Sequence, residues 1–148
     1  MVASGNLLGV GVRGILQGRG PMLETDEHLR LARHPAEAER ARRHVAASCR
    51  DLHRDVAMIA QLLTSELVTN ALEHGAGTIE LSVTRSPGEL RIDVFDESSE
   101  KPVSQAAGAA ELKGRGMLIV ETLASAWGVQ SRPDRQGKSV WFILRTVT

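Results

Sequence analysis

The sequence predicts one α/β domain, and three observations indicate this fold class. Segments 35–52 and 55–75 place apolar residues at helical spacing. Segments 78–84 and 90–96 alternate apolar and polar residues, as half-buried strands do, and "SPGE" between them predicts a turn. The final segment, 137–146, is nearly continuously apolar, as expected for a strand inside a sheet. A chain of 148 residues is long enough to bury the core of one such domain.

Composition argues against several classes of protein. The formal net charge is zero and aromatic residues make up 3% of the chain, so we expect no nucleic-acid binding. No apolar run approaches the roughly 18 residues of a spanning helix, so we expect no membrane association. The one cysteine, Cys49, cannot form an internal disulfide, which predicts a cytoplasmic location.

The N-terminal segment, residues 1–24, differs in composition from the rest of the chain. It holds six glycines in its first twenty residues, which raises the entropic cost of ordering it. Its "GVGVRG" matches G-x-G-x-x-G, but the flanking strand and helix that a dinucleotide site needs are not predicted. We therefore expect a disordered leader over 1–24 and one domain over 25–148, which opens with a short edge strand over 27–34.

The second helix carries a polar stripe in the stretch "SELVTNALEHG", residues 65–75. At 100° per residue, five polar side chains fall on an arc of roughly 140°: Glu66, Thr69, Asn70, Glu73 and His74. Asp55 is the expected N-cap of this helix and Gly75 its C-cap. The stripe is either a solvent-exposed face or the wall of a polar site, and spacing alone does not decide between them.

The second strand of the hairpin ends on a carboxylate that shares the parity of its buried residues. If the alternation of Leu90, Ile92 and Val94 continues, Asp96 points inward and needs hydrogen-bond donors from protein or ligand. If the strand ends at Val94, Asp96 is a loop residue.

The last third of the chain adds a glycine pair and a small hydroxyl group. Residues 97–113 show no clear period and are expected to form a lid or a disordered loop. Gly114 and Gly116 precede an apolar helical segment, so they are expected to open the third helix. "WGVQSR" predicts a strand, and "GKSVWFILRT" the final strand, with Ser139 near its start.

Together these features describe a site for Mg²⁺-ATP. Asn70 offers a carbonyl oxygen to Mg²⁺, and Glu66 sets a carboxylate one turn away. Asp96 offers an acceptor to the adenine amino group, with Ser139 expected beside it. Backbone N–H groups at the Gly114–Gly116 helix start suit a polyphosphate.

These boxes, in this order, resemble the gyrase, heat-shock-chaperone and histidine-kinase ATPase superfamily, and most closely its RsbW-like anti-sigma-factor serine/threonine kinases. "SELVTNALEHG" resembles the N box, "DESSEKP" the variant first glycine box, "GRGMLIV" the second, and "GKSVWFIL" the terminal strand. The resemblance covers about residues 29–146. It implies a two-layer α/β sandwich of the Bergerat type, with a mixed sheet and helices on one face.

The resemblance also implies roles for individual residues. Asn70 would ligate Mg²⁺, Glu66 would act as general base, and Asp96 would read adenine with support from Ser139. Gly114, Arg115 and Gly116 would hold the phosphates, and His74 would contact phosphate or ribose or fill space. Ser98 and Glu100 stand where the broader superfamily has glycines.

The implied activity is that of an anti-sigma factor that phosphorylates a STAS-domain anti-anti-sigma protein, using ATP and Mg²⁺. The implied partners are a sigma factor, the STAS protein and a second copy of the chain in a homodimer. A non-catalytic, ATP-sensing partner-switch module would use the same pocket, and the sequence does not separate the two functions.

Overall fold

The structure is a computed structural model that describes residues 7–16, 21–99, 111–132 and 134–146. Its elements, in chain order, are β1 (Leu7–Leu16), β2 (Pro21–Leu31), α1 (Glu37–Ser48), α2 (Arg54–His74), β3 (Ile79–Ser86), β4 (Glu89–Asp96), α3 (Glu111–Leu123), β5 (Ala126–Ser131) and β6 (Lys138–Arg145). The strands form one sheet in the order β1-β2-β3-β4-β6-β5, and the helices pack on one face of it. This is the predicted two-layer α/β sandwich.

The sheet is antiparallel at every described pairing, so the prediction of a mixed sheet is wrong. β1 to β4 follow one another as neighbours. The connection through α3 then carries the chain past β4 to the far edge, where β5 runs in the same direction as β4. β6 returns between these two strands and opposes both, so no parallel strands are adjacent.

The core lies between the helices and alternate positions of the strands. Three positions on each of β3, β4 and β6 are buried toward α1 and α2: Ile79, Leu81, Val83; Leu90, Ile92, Val94; Val140, Phe142, Leu144. The opposite face carries polar and aromatic residues in register across the strands, among them His28, Ser82, Asp93 and Trp141. Period-two alternation therefore separates an apolar face under the helices from an open polar face.

Strands occupy much of the segment in which the sequence predicted a disordered leader. Leu7–Leu16 pairs along its length with Pro21–Leu31, and the predicted edge strand over 27–34 is the end of this longer strand. β2 pairs on its other side with β3, so among the described residues it is not an edge. Backbone ladder hydrogen bonds form whatever the side chains are, so glycine content alone is a poor guide to pairing. Gly9, Gly11 and Gly14 lie inside β1, with no helix directly after them.

The helix boundaries differ from the predicted ones at the start of each helix and at the end of α1, which is at Ser48. α1 begins at Glu37, after a turn that contains Pro35. α2 has His53 as its N-cap, not Asp55, since His53 Nδ1 accepts a hydrogen bond from the backbone N–H of Asp55 at 3.0 Å. Its predicted C-cap is confirmed, because the Gly75 N–H donates to the Ala71 carbonyl at 2.9 Å. None of the helices in the described ranges combines the length and the apolar character needed to cross a membrane.

Two neighbouring leucines of α2 test the assignment of its buried face. Leu63 is fully buried whereas Leu62 is 41% exposed. We expect Leu63→Ala to lower the free energy of unfolding by about 2–5 kcal/mol, since it removes buried methyl groups and leaves a cavity. Leu62→Ala, the matched control, should change it by no more than about 0.5 kcal/mol. Urea denaturation measures both, and equal losses would contradict the buried face described above.

Candidate functional site

Asp96, the last residue of β4, points into the protein beneath the end of α2. The residue is 1% exposed, so the inward alternative left open by the sequence is the one observed. Asp96 Oδ1 accepts hydrogen bonds from the backbone N–H groups of Ser98, at 2.7 Å, and Ala76, at 3.4 Å. The carboxylate therefore ties the start of the following loop to the segment that leaves α2.

Lys138, at the start of β6, is the main partner of this carboxylate. Its Nζ lies 3.1 Å from Asp96 Oδ1 and 2.9 Å from Oδ2, and Lys138 is 4% exposed. Asp96 and Lys138 are directly opposite in the β4–β6 register and lie on the same face of the sheet. This pair has a signal in the sequence. Lys138 shares the parity of the buried residues Val140 and Phe142.

Ser139 lies on the other face of the sheet, so the prediction that it stands beside the Asp96 carboxylate is wrong. It is opposite Phe95 in the register, and it lines a cavity of about 280 Å³ on the open face with Phe95, Asp93 and Gln130. Successive residues of a strand point to opposite faces, so Lys138 and Ser139 cannot both adjoin Asp96. Of the two polar residues in "GKS", Lys138 is the one on the Asp96 side.

Two glycines allow the backbone to approach Asp96 closely. A Cβ at position 75 would lie 2.6 Å from Asp96 Cγ and 2.7 Å from Oδ2, well inside van der Waals contact. Gly137 has φ +134°, and a Cβ there would collide with the Asp96 carbonyl oxygen. Gly75 is thus required for close packing as well as for capping, and Gly137 for its left-handed backbone.

A stripe of three polar residues, spaced one turn apart on α2, ends beside Asp96 and its partners: Glu66, Asn70 and His74. All three are half-buried. Among the described residues none forms a hydrogen bond to the side chains of Glu66 or Asn70. His74 Nε2 is buried with no hydrogen-bond partner, and Glu73 Oε1 at 3.8 Å is too distant to be one. Polar groups that are half-buried and unpaired in this way are available to a ligand.

The electrostatics of Glu66 suit a base. Burial raises the pKa of the Glu66 carboxyl above its usual range, and the nearby negative charge of Glu73 raises it further. A raised pKa brings a carboxylate closer to the operating pH, at which proton transfer is most efficient.

Arg33, which the sequence did not single out, holds the end of α2 in place. Its guanidinium donates to the carbonyl oxygens of Ala71, Leu72, Gly75 and Gly77, at 2.9–3.4 Å. Carbonyls near a helix C-terminus lack some of their intrahelical partners, so these contacts satisfy oxygens in and just beyond the last turn, and a cation also opposes the helix dipole there. Arg33 therefore positions the turn that carries Asn70 and His74.

The predicted phosphate-binding glycines lie within α3. The helix begins at Glu111, three residues earlier than expected, so Gly114 and Gly116 are in its first two turns instead of preceding it. α3 packs against α2, with Met117 and Val120 buried. The role of Gly114, Arg115 and Gly116 in phosphate binding stays a prediction. Glu100 and most of the predicted lid lie outside the described residues.

The residues of α2 fit a magnesium nucleotide. Asn70 offers the hard oxygen that Mg²⁺ prefers, and Glu66 and Glu73 add negative charge close by. Asp96 fits less simply, because its carboxylate is already paired with Lys138. Sequence reasoning thus found the residues of the α2 stripe and the buried Asp96, and it missed Lys138 and Arg33.

Stability against pH tests the environment of Glu66. A carboxyl whose pKa is raised on folding binds more protons in the folded protein, so stability falls as pH rises from about 4 toward neutral. Glu66→Gln removes this loss. We expect the variant to have a higher melting temperature than the parent at pH 7, with the difference shrinking toward pH 4. Glu89→Gln is the matched control for the loss of one carboxylate charge. A Glu66→Gln difference that is constant with pH would contradict the raised pKa.

Comparison with known proteins agrees with this geometry. The family model for the histidine kinase-like ATPase domain matches residues 23–144, most of the chain. An uncharacterized protein from Streptomyces coelicolor is 33% identical over 78 residues, which are 49% of this chain and 73% of that relative. The chain therefore belongs to the histidine kinase-like ATPase domain family, and its fold is that of an ATP-binding domain.

Proposed function

We propose that the protein is an ATP-dependent serine/threonine kinase of the anti-sigma-factor type, which phosphorylates a STAS-domain anti-anti-sigma protein and sequesters a sigma factor. The observation that supports this most is the unpaired stripe of Glu66, Asn70 and His74 on α2, which ends at the buried Asp96. A helix that only packs against the sheet does not need such a polar stripe. The resemblance of "SELVTNALEHG" to the N box, inside a family match over 23–144, supports the same conclusion.

Each residue of the site has a proposed task. Bound ATP would supply the phosphoryl group, and Mg²⁺ would offset the negative charge of that group. Asn70 holds the metal through its carboxamide oxygen, and His74 contacts phosphate or ribose. Glu66 accepts the proton of the attacking hydroxyl at its carboxylate and orients that hydroxyl. Asp96 accepts a hydrogen bond from the adenine amino group, and the segment Gly114–Gly116 of α3 contacts the phosphates. Positioning and charge carry most of the rate in phosphoryl transfer, so no covalent intermediate is needed.

A second function, ATP-sensing without phosphotransfer, is favoured by one observation. The Asp96 carboxylate already accepts from Lys138 and two backbone N–H groups, so a nucleotide has to compete with these donors. Weak nucleotide binding that alters partner affinity suits a sensor. The experiment below separates the two functions.

The variant Glu66→Gln tests whether Glu66 acts as a general base or only helps to bind the nucleotide. The variant should bind Mg²⁺-ATP with a dissociation constant within about twofold of the parent, as measured by calorimetry. Its transfer of labelled phosphate from ATP to a STAS partner should fall by about 10²–10⁴-fold, the usual contribution of a general base.

Glu89→Gln is the matched control and should transfer phosphate at the parent rate. Equal transfer rates for Glu66→Gln and the parent would remove Glu66 from the catalytic role. ATP binding with no transfer by either protein would favour the sensor. Absence of ATP binding by the parent and by the Lys138 variants described next would contradict both functions.

A further inference from the structure

We propose that Lys138 competes with the base of a bound nucleotide for the Asp96 carboxylate, and so sets nucleotide affinity. The inference rests on the proposed function, in which Asp96 accepts a hydrogen bond from the base. It assigns a role to a residue that the site described above does not otherwise use.

Lys138 and Asp96 form a buried ion pair. Lys138 Nζ donates to both carboxylate oxygens, at 2.9 and 3.1 Å, and the two side chains are 5% and 2% exposed. A buried ion pair of this geometry is retained because either charge alone would be costly in the interior. In this conformation Lys138 therefore occupies an acceptor position on each carboxylate oxygen.

The ammonium of Lys138 lies at the carboxylate oxygen that the adenine base would have to approach. Asp96 Oδ1 also accepts from the N–H groups of Ser98 and Ala76. Oδ2, among the described residues, accepts from Lys138 alone, and the Gly75 backbone packs against it from another side. The exocyclic amino group of adenine would donate to a carboxylate oxygen just as the ammonium does. Oδ2 is thus the position at which one donor can replace the other.

Replacing the ammonium of Lys138 with the amino group of adenine lowers the affinity for the nucleotide. An ammonium pairs more strongly with a carboxylate than a neutral amino group does, because both partners carry charge. Nucleotide binding then has to break or stretch the ion pair, and affinity falls by the difference. Removing the ammonium while keeping the chain length leaves Asp96 in need of a donor, which the nucleotide supplies.

Calorimetric titration of Mg²⁺-ATP into the parent protein and Lys138→Met tests the competition. We expect the variant to bind ATP at least about tenfold more tightly, about the contribution of one hydrogen bond to an ionised group. Arg145→Met is the control, because Arg145 is an exposed cation at the far end of the same strand. It should bind as the parent does.

A second variant covers the chance that an unpaired Asp96 prevents folding. Lys138→Gln keeps a neutral donor at this position, and its ATP-induced rise in melting temperature should exceed that of the parent. The double variant Asp96→Asn with Lys138→Met removes both charges and should show no gain in affinity.

The outcomes separate this inference from the proposed function. ATP binding by the parent that is unchanged or weakened in both Lys138 variants would overturn the competition and leave the proposed function standing. Tighter binding in the variants, including binding in the variants alone, supports the competition. No binding by any of these proteins at millimolar ATP would overturn both.

Discussion

The buried carboxylate of Asp96 is the interaction on which the rest of the structure depends. It joins β4 to β6 through Lys138, and through the N–H groups of Ala76 and Ser98 it joins the exit of α2 to the loop after β4. A charge buried without partners would cost several kcal/mol, so these contacts have to form together. Gly75 has no side chain to obstruct them, which lets the end of α2 pack directly on the carboxylate.

The site consequently has two halves with opposite character. At Asp96 both carboxylate oxygens accept hydrogen bonds, and the ammonium of Lys138 contacts each of them. Along α2, Glu66, Asn70 and His74 are half-buried and unpaired, and the pKa of Glu66 is raised by burial. A buried polar atom without a partner, as His74 Nε2 is among the described residues, costs stability, and natural proteins accept that cost mainly at functional sites. A nucleotide that reaches both halves would gain most of its contacts from the α2 stripe and exchange partners at Asp96.

Periodicity predicted most of the fold because the core follows it. The alternation of Leu90, Ile92 and Val94 predicted the inward face of β4, and of the two alternatives left open for Asp96, the inward one is observed. The same rule applied to β6 places Lys138 inside and Ser139 outside, so the prediction of Ser139 beside Asp96 conflicts with the alternation of its own strand. Strand direction is a long-range property that local pattern does not contain, so the mixed sheet was predicted incorrectly. The pairing of Leu7–Leu16 depends on the backbone of β2, and Arg33 acts on carbonyls some forty residues away, so neither has a local signal.

The central claim is that a magnesium nucleotide binds along the α2 stripe, next to Asp96, and not on the open face of the sheet. Backbone amide chemical shifts, recorded as Mg²⁺ and a non-hydrolysable ATP analogue are added, test it most directly. We expect the largest changes in amide chemical shift at Glu66, Asn70, His74 and Gly75, with little change at Arg91 and Trp141. Shifts concentrated at Arg91, Trp141 and Ser139, with α2 unaffected, would contradict it.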